Sequence, residues 1–298
     1  MPELICLAPG TPGRPVPAAF LHIPKTAGST LTRILHAQYG EARLFRLEGL
    51  PASGAAEARD PVVATLERYR ALPPPVRESL CALNGHFSMV MLPLLAPDLP
   101  LFTLLRDPVA RVVSMYHHIL RKPTHSLHAS LRASGMSLED FAGSDITHEL
   151  TNDQTWRLAG ITWQEFEKRG SDNSPELIER ARAHLRARVR VVGLTERFDE
   201  SLLLFQRAFD WTDPWYVRRN VAANRRTVES TPEGALAVIQ ERNRLDCTLY
   251  EEAVSAMEAS VRSGGPAFAA ALARFRSKNR RYAFWRALRL RVKGLLGK

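Results

Sequence analysis

Ala19-Phe20-Leu21-His22-Ile23-Pro24-Lys25-Thr26-Ala27-Gly28-Ser29-Thr30 is the stretch on which the fold turns. Its first part, Ala19 to Ile23, is short, apolar and bounded by Pro17 and Pro24, which suits a buried strand better than a helix. From about Ser29 a helix is expected, because Leu31, Ile34 and Leu35 recur at helical spacing. The loop between them leads into a helix N-terminus, where unbonded backbone N–H groups and the positive end of the helix dipole make an anion site. Lys25, Thr26, Gly28, Ser29 and Thr30 suit such a site. Glycine lets the backbone approach an oxyanion, hydroxyls donate hydrogen bonds, and the Lys25 ammonium can follow charge onto a leaving phosphate oxygen. In the nucleotide triphosphatase loop, Gly-x-x-x-x-Gly-Lys-[Ser/Thr], lysine follows the second glycine and the next hydroxyl holds magnesium. Here lysine precedes the only glycine, so magnesium-dependent phosphoryl transfer is not indicated.

The same grammar returns three times further along the chain. Leu80 to Leu83 precedes Asn84-Gly85-His86, Leu101 to Leu105 precedes Arg106-Asp107-Pro108, and Val189 to Leu194 precedes Thr195-Glu196-Arg197. Short apolar strands separated by helical patterns predict an α/β fold with a P-loop-like central parallel sheet flanked by helices, and ligands at the strands' C-terminal ends. The helix after the third strand is well marked: Asp107 is placed to cap it, Pro108 is its first residue, and Val109, Val112, Val113, Tyr116, Ile119 and Leu120 form one apolar stripe. Arg111, Ser114, His118 and Arg121 fall on another face. Residues 40–78 and 122–174 read as insertions near the cleft, with a short helix at Leu138 to Phe141. Further helices start at Ser174-Pro175-Glu176 and at Thr231-Pro232-Glu233, the latter continuing through Leu245, Leu249, Ala253 and Met257.

At 298 residues and 45% hydrophobic content the chain can form one large domain with appendages. We divide it into an irregular lead-in at 1–18, an α/β body at 19–262 and a basic amphipathic, helical C-terminal extension at 263–298. Cys6, Cys81 and Cys247 are odd in number and widely spaced, which suggests neither a disulfide framework nor a thiolate metal site. That cysteine usage fits a reducing cytoplasm, and with no basic stretch leading into an apolar core at the N-terminus and no run of eighteen apolar residues a soluble protein is expected. Of the 41 Lys and Arg residues ten lie in 274–298, where no Asp or Glu occurs, so the first 273 residues are formally balanced and the net charge of +10 belongs to the tail. A basic amphipathic tail can lie on an anionic membrane surface, hold an acidic substrate or dock on the body. No recognition motif accompanies the charge, so no nucleic-acid partner is expected.

The stretch Ile23 to Thr30 resembles the 5′-phosphosulfate loop of the sulfotransferase superfamily, in its carbohydrate (heparan-sulfate-type) branch and as a bacterial-like member. The resemblance continues through Leu105-Arg106-Asp107-Pro108-Val109-Ala110-Arg111-Val112-Val113-Ser114-Met115-Tyr116, which looks like the family's 3′-phosphate element. Other matches are Asn152-Asp153-Gln154-Thr155 with Leu158-Ala159-Gly160, Val192-Gly193-Leu194-Thr195-Glu196-Arg197-Phe198, and Asn243-Arg244-Leu245-Asp246 followed by Leu249-Tyr250. It implies a donor, 3′-phosphoadenosine-5′-phosphosulfate (PAPS), held by Lys25, Thr26, Ala27, Gly28, Ser29 and Thr30, with Arg106 and Ser114 on the 3′-phosphate. It also implies a carbohydrate or glycolipid acceptor.

Sulfuryl transfer from that donor needs no metal. It needs alignment, charge stabilisation on the leaving phosphate and removal of the acceptor's proton. Of the nine histidines His86 is best placed as base, since Asn84-Gly85-His86 ends a strand at the edge where the phosphate loop sits. Relatives place a histidine in a similar Gly-His element. His22 reads as a packed or loop-orienting residue, His117 and His118 as helix-surface residues of which one could face the cleft, and Thr195 and Glu196 as candidates for contacting adenine or orienting the loop. Arg225 and Arg226 could close over the donor. The competing readings are a magnesium-dependent small-molecule kinase on the same plan and a non-catalytic nucleotide or membrane-surface binding protein.

Overall fold

A computed structural model of the chain describes residues 4–8, 13–47, 61–162, 165, 173–217 and 230–296. Ala18–Leu21 forms β1, all four residues buried. After it come α1 (Gly28–Tyr39), β2 (Leu44–Leu47), α2 (Pro61–Arg70), α3 (Pro74–Ser79), β3 (Ala82–Gly85) and β4 (Leu101–Leu105). Four helices follow: α4 (Pro108–Arg121), α5 (His128–Ser134), α6 (Leu138–Gly143) and α7 (Asp153–Ala159). The chain continues with α8 (Pro175–Arg188), β5 (Val189–Leu194), α9 (Phe198–Phe209), α10 (Glu233–Arg242), α11 (Arg244–Ser263) and α12 (Gly265–Leu296).

The five strands pair in the order β2-β3-β1-β4-β5, and every pairing is parallel. Alternation along each strand divides the core between the two faces of the sheet. Ala19, Leu21, Leu83, Leu101 and Leu105 pack with Trp156 and Leu158 of α7, Leu177 and Ile178 of α8, and Leu245 and Leu249 of α11. Ala18, Phe20, Ala82, Phe102 and Leu104 pack with Leu31, Ile34 and Leu35 of α1, Phe205 and Phe209 of α9, and Phe268, Leu272 and Phe275 of α12. Each such large aliphatic or aromatic side chain contributes about 1.5–3 kcal/mol by leaving water. A third cluster joins α4 to α5, α6 and α10 through Val112, Ile119, Phe141 and Ile239. The expected α/β sheet with flanking helices and a helical C-terminal extension is what the chain forms.

Several boundaries differ from those expected of the sequence. The region 40–78 is not only an insertion, because Leu44, Phe45 and Leu47 add an edge strand whose four residues are too few for a periodic signal. Asn84 and Gly85 belong to the strand expected to end at Leu83, and a Cβ on Gly85 would lie 1.8 Å from the Leu47 carbonyl oxygen, so glycine lets β2 and β3 meet. The lead-in is partly tied down: Ile5 is fully buried, its N–H donates to the Leu94 carbonyl and its carbonyl accepts from Ala96. The helix beginning after Thr231-Pro232 does not run on to Met257. It breaks at Asn243, whose side-chain amide donates to the carbonyls of Leu150 and Ile239.

Chain direction diverges at β1, whose neighbours are β3 on one side and β4 on the other. The loops after β1, β3, β4 and β5 carry Lys25, His86, Arg106 and Thr195, all at the sheet's C-terminal edge, where such topologies open a crevice.

Candidate active site

The loop between β1 and α1 is held in an unusual backbone path. Lys25 and Ala27 have φ of 70° and 65°, in the left-handed region that costs a residue with a Cβ about 1–3 kcal/mol. Thr26 is fully buried, and its hydroxyl donates to the Ile23 carbonyl at 2.8 Å, which fixes the turn and uses the donor that the loop's sequence offers to an anion. The N–H groups of Thr30 and Leu31 return to the Ala27 carbonyl, whereas those of Gly28 and Ser29, first in α1, have no intrahelical acceptor. Gly28 is required for a reason the sequence does not disclose. A Cβ there would come within 1.7 Å of His22 Nε2, so the glycine makes room for an imidazole beside the loop.

That imidazole belongs to a stack. The His22 ring lies 5.3 Å from Phe20 and 4.0 Å from His86, centroid to centroid. His86 Nδ1 lies 3.0 Å from the His22 carbonyl. A carbonyl only accepts, so Nδ1 carries the proton and Nε2 keeps its lone pair. Burial first, and the Arg157 charge second, push the His86 pKa down to about 4, leaving the ring neutral at physiological pH. Burial and His86 likewise hold His22 well below the usual histidine range. His22 thus packs and orients, and His86 is a neutral acceptor at the end of β3.

Arg106 ties two strand ends together. Its Nη1 donates to the Lys25 carbonyl at 2.9 Å, and its Nε lies 3.7 Å from Glu196 Oε1. Its backbone N–H and C=O are both bonded by the Gln154 side-chain amide at 2.9 Å. Glu196 also accepts from the Tyr250 hydroxyl at 3.0 Å, which engages the carboxylate considered for adenine. Thr195 donates its N–H to the Leu105 carbonyl, and its buried Oγ1 has no partner among the described residues. Ser114 is half-buried on α4, the helix that Asp107 caps by accepting from the Ala110 N–H at 2.7 Å.

The Asn152 and Asn243 motifs explain each other. Asn152 Oδ1 accepts from the N–H groups of Leu245 and Asp246 at the start of α11, while Asp246 accepts from Gln154 and Thr155 at the start of α7. This reciprocal capping places Gln154 against Arg106.

Around Lys25 the charge is lopsided. Burial first, then Arg106, Arg121 and Lys122, push its ammonium down to about 8, and Glu149 acts in the other direction. His118 is pushed down to about 4 by burial and then by Lys25, His125, Lys122 and Arg121, and its ring meets His125 at 5.7 Å. Of the two adjacent histidines read as helix-surface or cleft-facing, His118 is the one on which the Lys25 charge acts. Glu149, which no motif singles out, is held by Arg157 at 3.4 Å and pushed upward by burial and by Asp153. Only the Asn152 motif points near it. A half-buried lysine whose charged form is disfavoured by cations is restored when a polyanion binds. Lys25, the amides of Gly28 and Ser29, and Arg106, gathered at one edge, therefore fit an anionic group in their chemistry.

The structure brings Lys25, the 26–30 loop, Arg106 and Thr195 to one edge, with His86 packed on His22 beside the loop, while Arg225 and Arg226 lie outside the described residues. Among the described residues no group of three or more His, Cys, Asp or Glu side chains is arranged to hold a metal ion. A family model described as galactose-3-O-sulfotransferase matches residues 2–287. None of the curated proteins matches the chain.

Proposed function

Because the chain belongs to the galactose-3-O-sulfotransferase family and is a carbohydrate sulfotransferase, we propose that it moves a sulfuryl group from PAPS to a sugar hydroxyl with His86 as the base. The family description names galactose, where the sequence resemblance pointed to the heparan-sulfate type, so a galactose hydroxyl, free or lipid-linked, is the acceptor to try first. The observation that carries the reading is the neutral His86 ring, its Nδ1 proton committed to the His22 carbonyl, beside a loop that presents Lys25 and open helix amides.

In this mechanism Nε2 of His86 takes the acceptor's proton as the acceptor oxygen forms its bond to sulfur. The bond from sulfur to the bridging phosphate oxygen breaks, and its electron pair stays on that oxygen. Lys25 and the amides of Gly28 and Ser29 stabilise the charge developing there, which is where such donors contribute most. Arg106 and Ser114 bind the 3′-phosphate, and Arg106 keeps its grip on the Lys25 carbonyl, so occupancy of one anion site is felt at the other. Thr195, which follows β5, stands at the nucleotide's edge.

The test is thermal unfolding with 3′-phosphoadenosine 5′-phosphate, with ATP plus magnesium, and with neither, followed by sulfate transfer to galactose-terminated acceptors. Stabilisation by the bisphosphate and transfer without metal are expected. Stabilisation by ATP plus magnesium alone would support the kinase instead, and bisphosphate binding without transfer to any acceptor would leave a binding protein.

A further inference from the structure

α12 carries two apolar rows that face different surroundings. Phe268, Leu272 and Phe275 are buried against the body, where Arg207 stands over the Phe268 ring at 4.9 Å. Phe284, Trp285 and Leu288 are 63%, 56% and 41% exposed. At about 100° per residue the second row is turned by roughly half a circle from the first, so it points away from the face that docks. The same spacing sets Arg281 at the head of the exposed row, with Arg280 along one flank and Arg289 along the other, all three exposed. The sequence continues the row with Val292 and Leu295.

The occupant of this row has to suit both its aromatic and aliphatic surface and its cations. A second copy of the helix would set nine cations and no acids against nine more, which repel. An anionic lipid surface meets both requirements: its headgroups attract the arginines, and its interface accepts Trp and Phe rings. Among the described residues no helix is long and apolar enough to cross a membrane, so the segment would lie on the surface. We propose that the C-terminal half of α12 is an interfacial helix that docks this chain on an anionic lipid surface through Phe284, Trp285 and Leu288.

The experiment is flotation of the full-length protein with vesicles of phosphatidylglycerol and phosphatidylcholine, and with phosphatidylcholine alone. Binding to the anionic vesicles should be at least about tenfold tighter and should weaken as salt rises. The triple variant Phe284→Ser, Trp285→Ser, Leu288→Ser should lose about tenfold or more of that binding, with its circular-dichroism melting midpoint unchanged because none of the three packs on the body. The variant Arg281→Gln, Arg289→Gln should lose the preference for anionic vesicles. Wild-type protein that ignores anionic vesicles, or a triple variant that binds them as tightly, overturns the proposal. So does a wild-type dimer without vesicle binding that the triple variant converts to monomer, since that would make the row a self-association surface. These readouts do not depend on the identity of the donor or the acceptor.

Discussion

Around Lys25 cations collect with little acid to balance them, whereas around Arg111 two carboxylates close on one guanidinium. Arg111 is fully buried, 3.4 Å from Asp153 Oδ2 and 4.0 Å from Asp246 Oδ2, and Asp153 also accepts from Arg157 Nε at 2.9 Å. Lys25, Arg121 and Lys122 remain partly or fully exposed, with Glu149 the acid that acts most on Lys25. Taking a charge out of water costs several kcal/mol unless it is paired, so the Arg111 group is a structural clamp between α4, α7 and α11. A cation cluster that reaches solvent and is left under-neutralised instead suits an anionic ligand. Both groups sit on or beside α4, and burial together with the distribution of acids tells them apart.

The largest effect is expected on the site's side of this contrast. His86→Ala should cut turnover by about a hundred- to ten-thousand-fold while leaving 3′-phosphoadenosine 5′-phosphate binding intact, as measured by steady-state rates and calorimetric titration. Unchanged turnover in that variant would remove His86 from the chemistry. On the clamp's side, Arg111→Met leaves Asp153 and Asp246 buried without their shared partner. It should cost about 3–5 kcal/mol in denaturant unfolding, an effect on stability before any on catalysis. A fully stable Arg111→Met protein would contradict the division between clamp and site.

A subtler prediction concerns pH. His86 must be neutral to accept a proton, so kcat/KM should fall as pH drops through its pKa of about 4. Lys25 must be charged to stabilise the leaving oxygen, so kcat/KM should fall as pH rises through about 8. The profile should be flat between, with roughly tenfold loss per unit beyond each limb. Lys25→Met should erase the alkaline limb; a limb that survives belongs to another group.

Much of the plan was legible because its signals are local. Ala19 to Ile23, Leu101 to Leu105 and Val189 to Leu194 announce buried strands through short apolar runs, and Asp107-Pro108 announces a helix start through capping chemistry. Lys25 and Arg106 could be singled out because each follows such a strand. β2 was not legible, because Leu44–Leu47 carries only three apolar residues and gains its place by pairing with β3. Nor was the break at Asn243, because the apolar spacing runs through it, and a side chain reaching Leu150 is a long-range contact that spacing cannot show.

A parallel α/β sheet with flanking helices and a cationic tail follows from sequence alone, because strand hydrophobicity, helix caps and net charge are carried by neighbours along the chain. Only the tertiary structure made Gly28 the space for His22, put the His86 proton on Nδ1, and brought His118 and Glu149 to Lys25. It also decided which half of α12 packs and which half faces outward. Each of these depends on burial and on partners far away in sequence, and a residue's charge, tautomer and steric room are properties of its surroundings.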